Sequence, residues 1–178
     1  QHLGVRELTA KVITVPVGES RLLSRQGPQL AALNRDSFSH CILLLDADRC
    51  EDERPSSELE DSLNEEMKSS WGIHGRAIVA EPSLEAWLLE GHRAFARVPG
   101  LRGLDLRRWL SDSGLWPHGS AQPDQPRHVM ETLFSNFGAT LTAANYRLIA
   151  RDYPVRMDLV ESPSLRAFLR TLRGWFMP

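Results

Sequence analysis

Three short apolar runs stand out from an otherwise mixed chain: KVITVPVG at Lys11–Gly18, HCILLLDAD at His40–Asp48 and GRAIVAEP at Gly75–Pro82. Their β-branched and aliphatic residues, bounded by Pro, Gly and acidic positions, predict strands. The second run lacks polar alternation, which is the pattern of a strand covered on both faces in a parallel sheet. Between the runs the apolar period lengthens to that of a helix. GPQLAALNRD (Gly27–Asp36) has Leu30 and Leu33 three apart behind an early proline, which predicts a short helix. SSELEDSLNEEMKSSWG (Ser56–Gly72) repeats Leu59, Leu63 and Met67 every four residues, with Ser57 and Glu60 spaced as a capping box and Gly72 suited to end the helix. PSLEAWLLEGHRAF (Pro82–Phe95) carries the stripe Leu84, Trp87 and Leu88, and Pro82 suits a first turn.

After Pro99 the character changes. The stretch Val98–His128 is rich in Gly, Pro and Ser, with a short helix expected around Leu106–Leu110 and with Leu115 and Trp116 as anchors to the core. RHVMETLFSNF (Arg127–Phe137) and SPSLRAFLRTLRGWF (Ser162–Phe176) read as helices, the second with Ser162 as N-cap and Pro163 in the first turn. Strand and helix in alternation predict an α/β fold with an open, mostly parallel Rossmannoid sheet. The expected organisation is an α/β core over residues 1–98, then a loop-rich segment and a C-terminal helical extension over 99–178 packing on it.

Composition leaves this picture intact. A chain of 178 residues, 42% apolar and 25% charged, suits an ordinary globular protein. No run approaches the eighteen apolar residues of a membrane span, so no membrane association is expected. The opening QHLGVREL lacks the charged-then-apolar order of a secretory leader. Cys41 and Cys50, without a CxxC, are expected to be reduced thiols of a cytoplasmic protein. The six histidines show no HxxxH or HxH spacing, which argues against a histidine zinc site. Charge is unevenly spread. Asp46–Glu66 holds ten acidic residues against Arg49 and Arg54, whereas from Arg127 onward seven arginines face four acidic residues.

The candidate chemistry lies where strands end, since open α/β sheets gather function at the carboxyl ends of their strands. Asp46 and Asp48 end the second run, and continued alternation would turn both side chains to one side with Ala47 pointing away. Two carboxylates that close repel unless a proton or cation lies between them. A hard divalent ion, Mg²⁺ or Mn²⁺, fits an all-oxygen set. A solvated strand end is the plain alternative. Glu81 ends the next run and Glu85 follows one helical turn later, so both are expected beside the pair as candidate acid–base groups, with Glu81 also a candidate ligand. Acidic residues at a helix start are also favoured by the dipole alone, by about 0.3–1 kcal/mol.

LLLDAD followed by IVAEPSLEAWLL resembles the TOPRIM-like proteins, especially a bacterial group related to the OLD-family nucleases. PRHVMETLF is similar to that group's Pro-Lys-x-x-Leu helix, with Arg127 in place of the lysine, and SPSLRAFLRTL resembles its closing aromatic helix. The resemblance covers most of the chain. It implies a TOPRIM-like fold, with Asp46 and Asp48 as a metal-binding DxD and Glu81 as a further ligand or acid–base group. The implied activity is Mg²⁺- or Mn²⁺-dependent cleavage, transfer or synthesis of phosphodiesters, and by analogy a part in defence against mobile DNA. The family also has a glutamate after a first strand. No strand ending in Glu-Gly occurs here; QHLGVREL resembles the end of the helix that would follow it, and Glu7 and Glu19 are the acidic substitutes at hand.

A nuclease needs cations for the phosphate backbone. Arg166, Arg170 and Arg173 recur at i, i+4, i+7 on the last helix, opposite its apolar stripe, and are the candidate nucleic-acid contacts. The sequence therefore favours a metal-dependent nuclease or phosphotransfer domain. The alternatives are a non-catalytic module of the same fold with a protein or nucleotide partner, and a DxD nucleotide-sugar glycosyltransferase. A HAD-type phosphatase fits poorly because Cys50 stands where that motif wants Thr or Ser.

Overall fold

The computed structural model describes residues 9–14, 20–50, 52–153 and 160–177. The chain divides into two compact units. One joins His2–Glu81 with Ser164–Pro178 and carries the strands; the other is Pro82–Pro163. The expected division at residue 98 falls inside the second of these, and the last helix belongs with the strands. Among the described residues no helix is long and apolar enough to cross a membrane.

In the strand-bearing unit the order is α1 (Ser20–Ala32), β1 (Cys41–Asp46), α2 (Ser56–Trp71), β2 (Gly75–Ala80) and α7 (Pro163–Phe176). The two strands pair in parallel, from Cys41 opposite Gly75 to Asp46 opposite Ala80. Parallel neighbours need a crossover, and α2 supplies it. Period-two alternation turns Leu43, Leu45, Ala77 and Val79 to one face, where they meet Leu59, Leu63, Met67 and Trp71 of α2. Ile78 and Ala80 on the other face are also fully buried, whereas Ile42 and Leu44 of β1 are only partly covered. The strand closed on both faces is thus β2, not β1. Gly27 lets α1 lie close on β1, since a Cβ there would sit 2.7 Å from Leu43 Cδ2.

The edge of β2 is closed by side chains. Asn64 donates to Ala77 O at 3.1 Å and accepts from Ala77 N–H at 2.9 Å. One turn earlier, Glu60 accepts from Val79 N–H at 3.0 Å and from Arg76 Nη2 at 3.1 Å. Positions i and i+4 of a helix share a face, so α2 presents a polar ladder to a strand edge that would otherwise leave its backbone groups unpaired. This corrects the capping-box expectation. The helix starts at Ser56 with Pro55, which has no side-chain acceptor, at the N-cap, and the Glu60 carboxylate is committed to β2. Glu58, Asp61, Glu65 and Glu66 do form a solvated acidic face. α7 runs antiparallel to β2 and is pinned at both ends. Glu81 N–H donates to Ser164 Oγ at 3.4 Å, and Trp175 Nε1–H donates to Ile73 O at 3.2 Å.

Among the described residues the regular elements of the second unit are all helical: α3 (Leu84–Glu90), a 3₁₀ segment His92–Arg97, α4 (Leu106–Asp112), α5 (Pro126–Asn136) and α6 (Ala143–Arg151). Leu89, Phe95, Leu110, Trp116, Met130 and Leu133 are among its buried core. Trp116 is the anchor expected of it, and Arg107 lies over its ring at 4.2 Å. Gly91 has no room for a side chain: a Cβ would meet the Tyr153 ring at 2.3 Å. Glu90 accepts from the N–H groups of Glu161 and Ser162 at 3.0 and 2.7 Å, holding the chain as it approaches α7.

Several local expectations change. The described part of the first apolar run, Lys11–Thr14, is not a strand, and the rest of that run lies outside the described residues. Glu7 and Glu19 also lie outside them. α1 begins at Ser20, so Pro28 sits inside the helix rather than near its start. α3 is preceded by Ser83 as N-cap, with Pro82 outside the helix. The observed architecture is mixed α/β with a two-stranded parallel sheet.

Candidate functional site

The two strands end together. Asp46 closes β1 opposite Ala80, and Glu81 is the next residue after that partner. Adjacent strands lie about 4.8 Å apart, so the parallel register alone brings Asp46 and Glu81 to one edge of the sheet. Glu81 is exposed to solvent. The expected juxtaposition of these two strand ends is therefore present.

The aspartate pair is not an extended DxD. Backbone extension stops at Asp46 (φ −104°, ψ 116°), and Ala47–Arg49 forms a 3₁₀ turn. Ala47 packs into the core beneath α2, while Asp48 is exposed and the Asp46 side chain is largely covered, at 11% exposure. The common side expected from alternation is thus lost at Ala47. A 3₁₀ turn eclipses residues three apart, and this sets Arg49 over Asp46, with Nε 3.8 Å from Oδ2. A guanidinium of the chain itself thus faces Asp46. The i, i+3 spacing of Asp46 and Arg49 was the only sequence signal for it.

The turn carries the chain to Cys50, which is buried behind Asp46. Burial, then the Asp46 carboxylate, then the Asp52 carboxylate push its thiol up to about 11. Both cysteines are free. Beyond Cys50, Arg54 grips Asp52 through its backbone N–H and guanidinium at 2.9–3.0 Å, and these bonds hold that carboxyl down at about 2.

α7 contributes the arginines. Its first residues sit at the strand ends through the bond from Glu81 N–H to Ser164 Oγ, so Arg166 follows two residues after that contact. At 1.5 Å rise per residue, Arg170 and Arg173 lie about 6 and 10 Å further along the axis. Leu165 and Leu169 are buried, Arg166 and Arg173 are half-buried, and Arg170 is exposed. Exposed Arg170 lies opposite the apolar stripe as expected, whereas half-buried Arg166 and Arg173 flank it. Glu85 is buried in the first turn of α3 and belongs to the helical unit, whereas Asp46, Asp48 and Glu81 belong to the strand-bearing one.

Among the described residues no group of three or more His, Cys, Asp or Glu side chains is gathered to hold a metal ion. The carboxylates present are of the right chemistry for Mg²⁺ or Mn²⁺, with Asp46 and Glu81 on adjacent strand ends and Asp48 on the turn between. Comparison with family models, with curated proteins and with solved structures gives no match.

Proposed function

We propose that the strand-bearing unit is a TOPRIM-like, Mg²⁺- or Mn²⁺-dependent phosphotransfer domain that acts as a nuclease on the phosphodiester backbone of nucleic acid. The observation that carries this reading is the parallel register of β1 and β2, which supports a shared carboxylate edge made by Asp46 and Glu81. Asp46, Asp48 and Glu81 are the proposed ligands. A metal bound there would polarise a phosphoryl oxygen and supply a hydroxide. The chain's own groups do the rest. Solvent-exposed Glu81 can exchange a proton with the leaving or attacking oxygen. Arg166, Arg170 and Arg173 offer a line of guanidinium groups leading away from that edge to neutralise successive phosphates.

A Mn²⁺ titration by calorimetry tests the site, with cleavage assays on single- and double-stranded DNA and RNA run in parallel. Binding and metal-dependent cleavage that are both lost in Asp46→Asn/Asp48→Asn support the reading. A parent chain that neither binds Mn²⁺ nor cleaves overturns it. The Asp46–Arg49 ion pair favours a second reading, a module of the same fold that binds a protein or nucleotide without catalysis, because a guanidinium beside Asp46 already balances part of its charge.

A further inference from the structure

At the opposite end of the sheet, the register that unites the carboxylates also unites two histidines. His40 immediately precedes β1 and His74 immediately precedes β2, so the pairing of Cys41 with Gly75 sets them side by side. His40 Nε2 and His74 Nδ1 are 3.1 Å apart, with the rings edge to face at 4.7 Å. The other nitrogen of His40, Nδ1, lies 2.9 Å from Ser39 Oγ. Trp175 and Phe176, ending α7, pack their rings tilted and edge-on against His40, with centroids 4.9 and 4.8 Å away, and Trp175 is itself held by Ile73 O beside His74.

We propose that His40 and His74 form a two-histidine site for a divalent transition-metal cation of borderline softness, of which Zn²⁺ and Cu²⁺ are the representatives. Two imidazole nitrogens bound to one tetrahedral Zn²⁺ at about 2.0–2.1 Å stand about 3.3 Å apart, close to the separation here. Imidazole also suits these cations better than Mg²⁺ or Mn²⁺. The surroundings match those of a ligating histidine, which typically donates its second N–H to an oxygen that fixes the ring: with its proton on Nδ1, facing Ser39 Oγ, His40 would offer Nε2 as the donor atom for the metal. Without metal, one proton bridges the two rings. On binding, it moves to the far nitrogen of its own ring, and the cation takes its place between them. Water completes the coordination. The site ties the beginnings of both strands to the end of α7, and it is independent of the carboxylate edge.

Zn²⁺ titration by calorimetry on the whole chain is the test. The expected result is one equivalent bound in the micromolar range near pH 7.5 in Asp46→Asn/Asp48→Asn, the background that carries every further variant so that the carboxylate edge offers Zn²⁺ no second site. Binding should be lost in His74→Ala and in His40→Phe; the second keeps a ring against Trp175 and Phe176 while removing the ligand. Ser39→Ala should weaken binding by about tenfold. Cu²⁺ should quench part of the tryptophan emission, and Trp175→Phe should lack that part. No Zn²⁺ bound in the Asp46→Asn/Asp48→Asn background, or an isotherm that survives in both histidine variants, overturns the proposal.

Discussion

Asn64 and Ala77 exchange two hydrogen bonds, the side-chain amide of a helix residue standing where a neighbouring strand's peptide group would be. Asn64 is nearly inaccessible and Ala77 wholly so. Neither backbone group of Ala77 thus has water as a ready substitute. Replacing Asn64 by Leu, close in size, should cost about 2–4 kcal/mol, the penalty for two buried polar groups left unmade. Asn64→Asp should cost at least as much, since it keeps an acceptor for Ala77 N–H but loses the donor to Ala77 O and Glu60 O and sets a buried carboxylate against both carbonyls. Urea denaturation of the three proteins would rank them. A Leu variant as stable as the parent would mean that water enters the strand edge.

Arg49 is the cation at Asp46, so its removal should help a metal that competes for the same carboxylate. Arg49→Gln is expected to tighten Mn²⁺ binding about two- to fivefold, the equivalent of the ~0.5–1 kcal/mol of a partly exposed ion pair. Calorimetry on the variant decides the matter. If Arg49 instead holds substrate phosphate, cleavage falls while metal affinity rises, and the two readouts separate the roles.

The Cys50 thiol is raised from an ordinary value near 9 to about 11, so the fold favours its neutral form. The corresponding stability is fully present below pH 9. It is lost as pH rises from about 9 through 11, where the unfolded chain ionises first. Near pH 8 the native protein should therefore react with iodoacetamide at Cys50 far more slowly than the urea-unfolded chain. Asp46→Asn removes the nearer of the two carboxylates and should raise the native rate. Peptide mapping by mass spectrometry distinguishes Cys50 from Cys41.

Gly91 has φ −80°, a conformation open to any residue, so a substitution there tests space alone. Gly91→Ala drives a methyl into the Tyr153 ring and should cost about 1–3 kcal/mol. Removing the ring in Tyr153→Leu should recover part of that loss in the double variant. A purely additive pair, measured by thermal melting, would show that the two residues do not meet.

The elements legible in the sequence were those whose pattern coincides with their burial. The apolar runs of β1 and β2 became strands, and Leu59, Leu63 and Met67 became the inner face of α2. α6 escaped notice because only Ile149 is fully buried along it, too little for a periodic signal; Thr142 caps it by accepting from Asn145 N–H. The strand-edge roles of Glu60 and Asn64 were not legible, because nothing in a helix's own period tells whether a polar side chain faces water or a strand edge. At the site, the strand ends were visible, but the turn at Ala47 was not: a small apolar residue between two aspartates fits an extended strand and a 3₁₀ turn equally well. The histidine pair was invisible for a different reason. A separation of 34 positions between His40 and His74 matches no ligand spacing, and only the strand register brings them together.

The return of α7 to the strands makes the helical unit a long closed loop from the host's point of view. The host's two connection points already touch, Glu81 N–H on Ser164 Oγ. The entropy of closing such a loop grows only with the logarithm of its length, about 0.6 kcal/mol for each doubling. The intervening stretch can thus lengthen, shorten or be exchanged with little effect on the host's folding free energy. The order of synthesis matters more. The helix that braces β2 leaves the ribosome only after the whole helical unit, so the sheet must wait, with its two strands paired but unbraced, until everything between has been made.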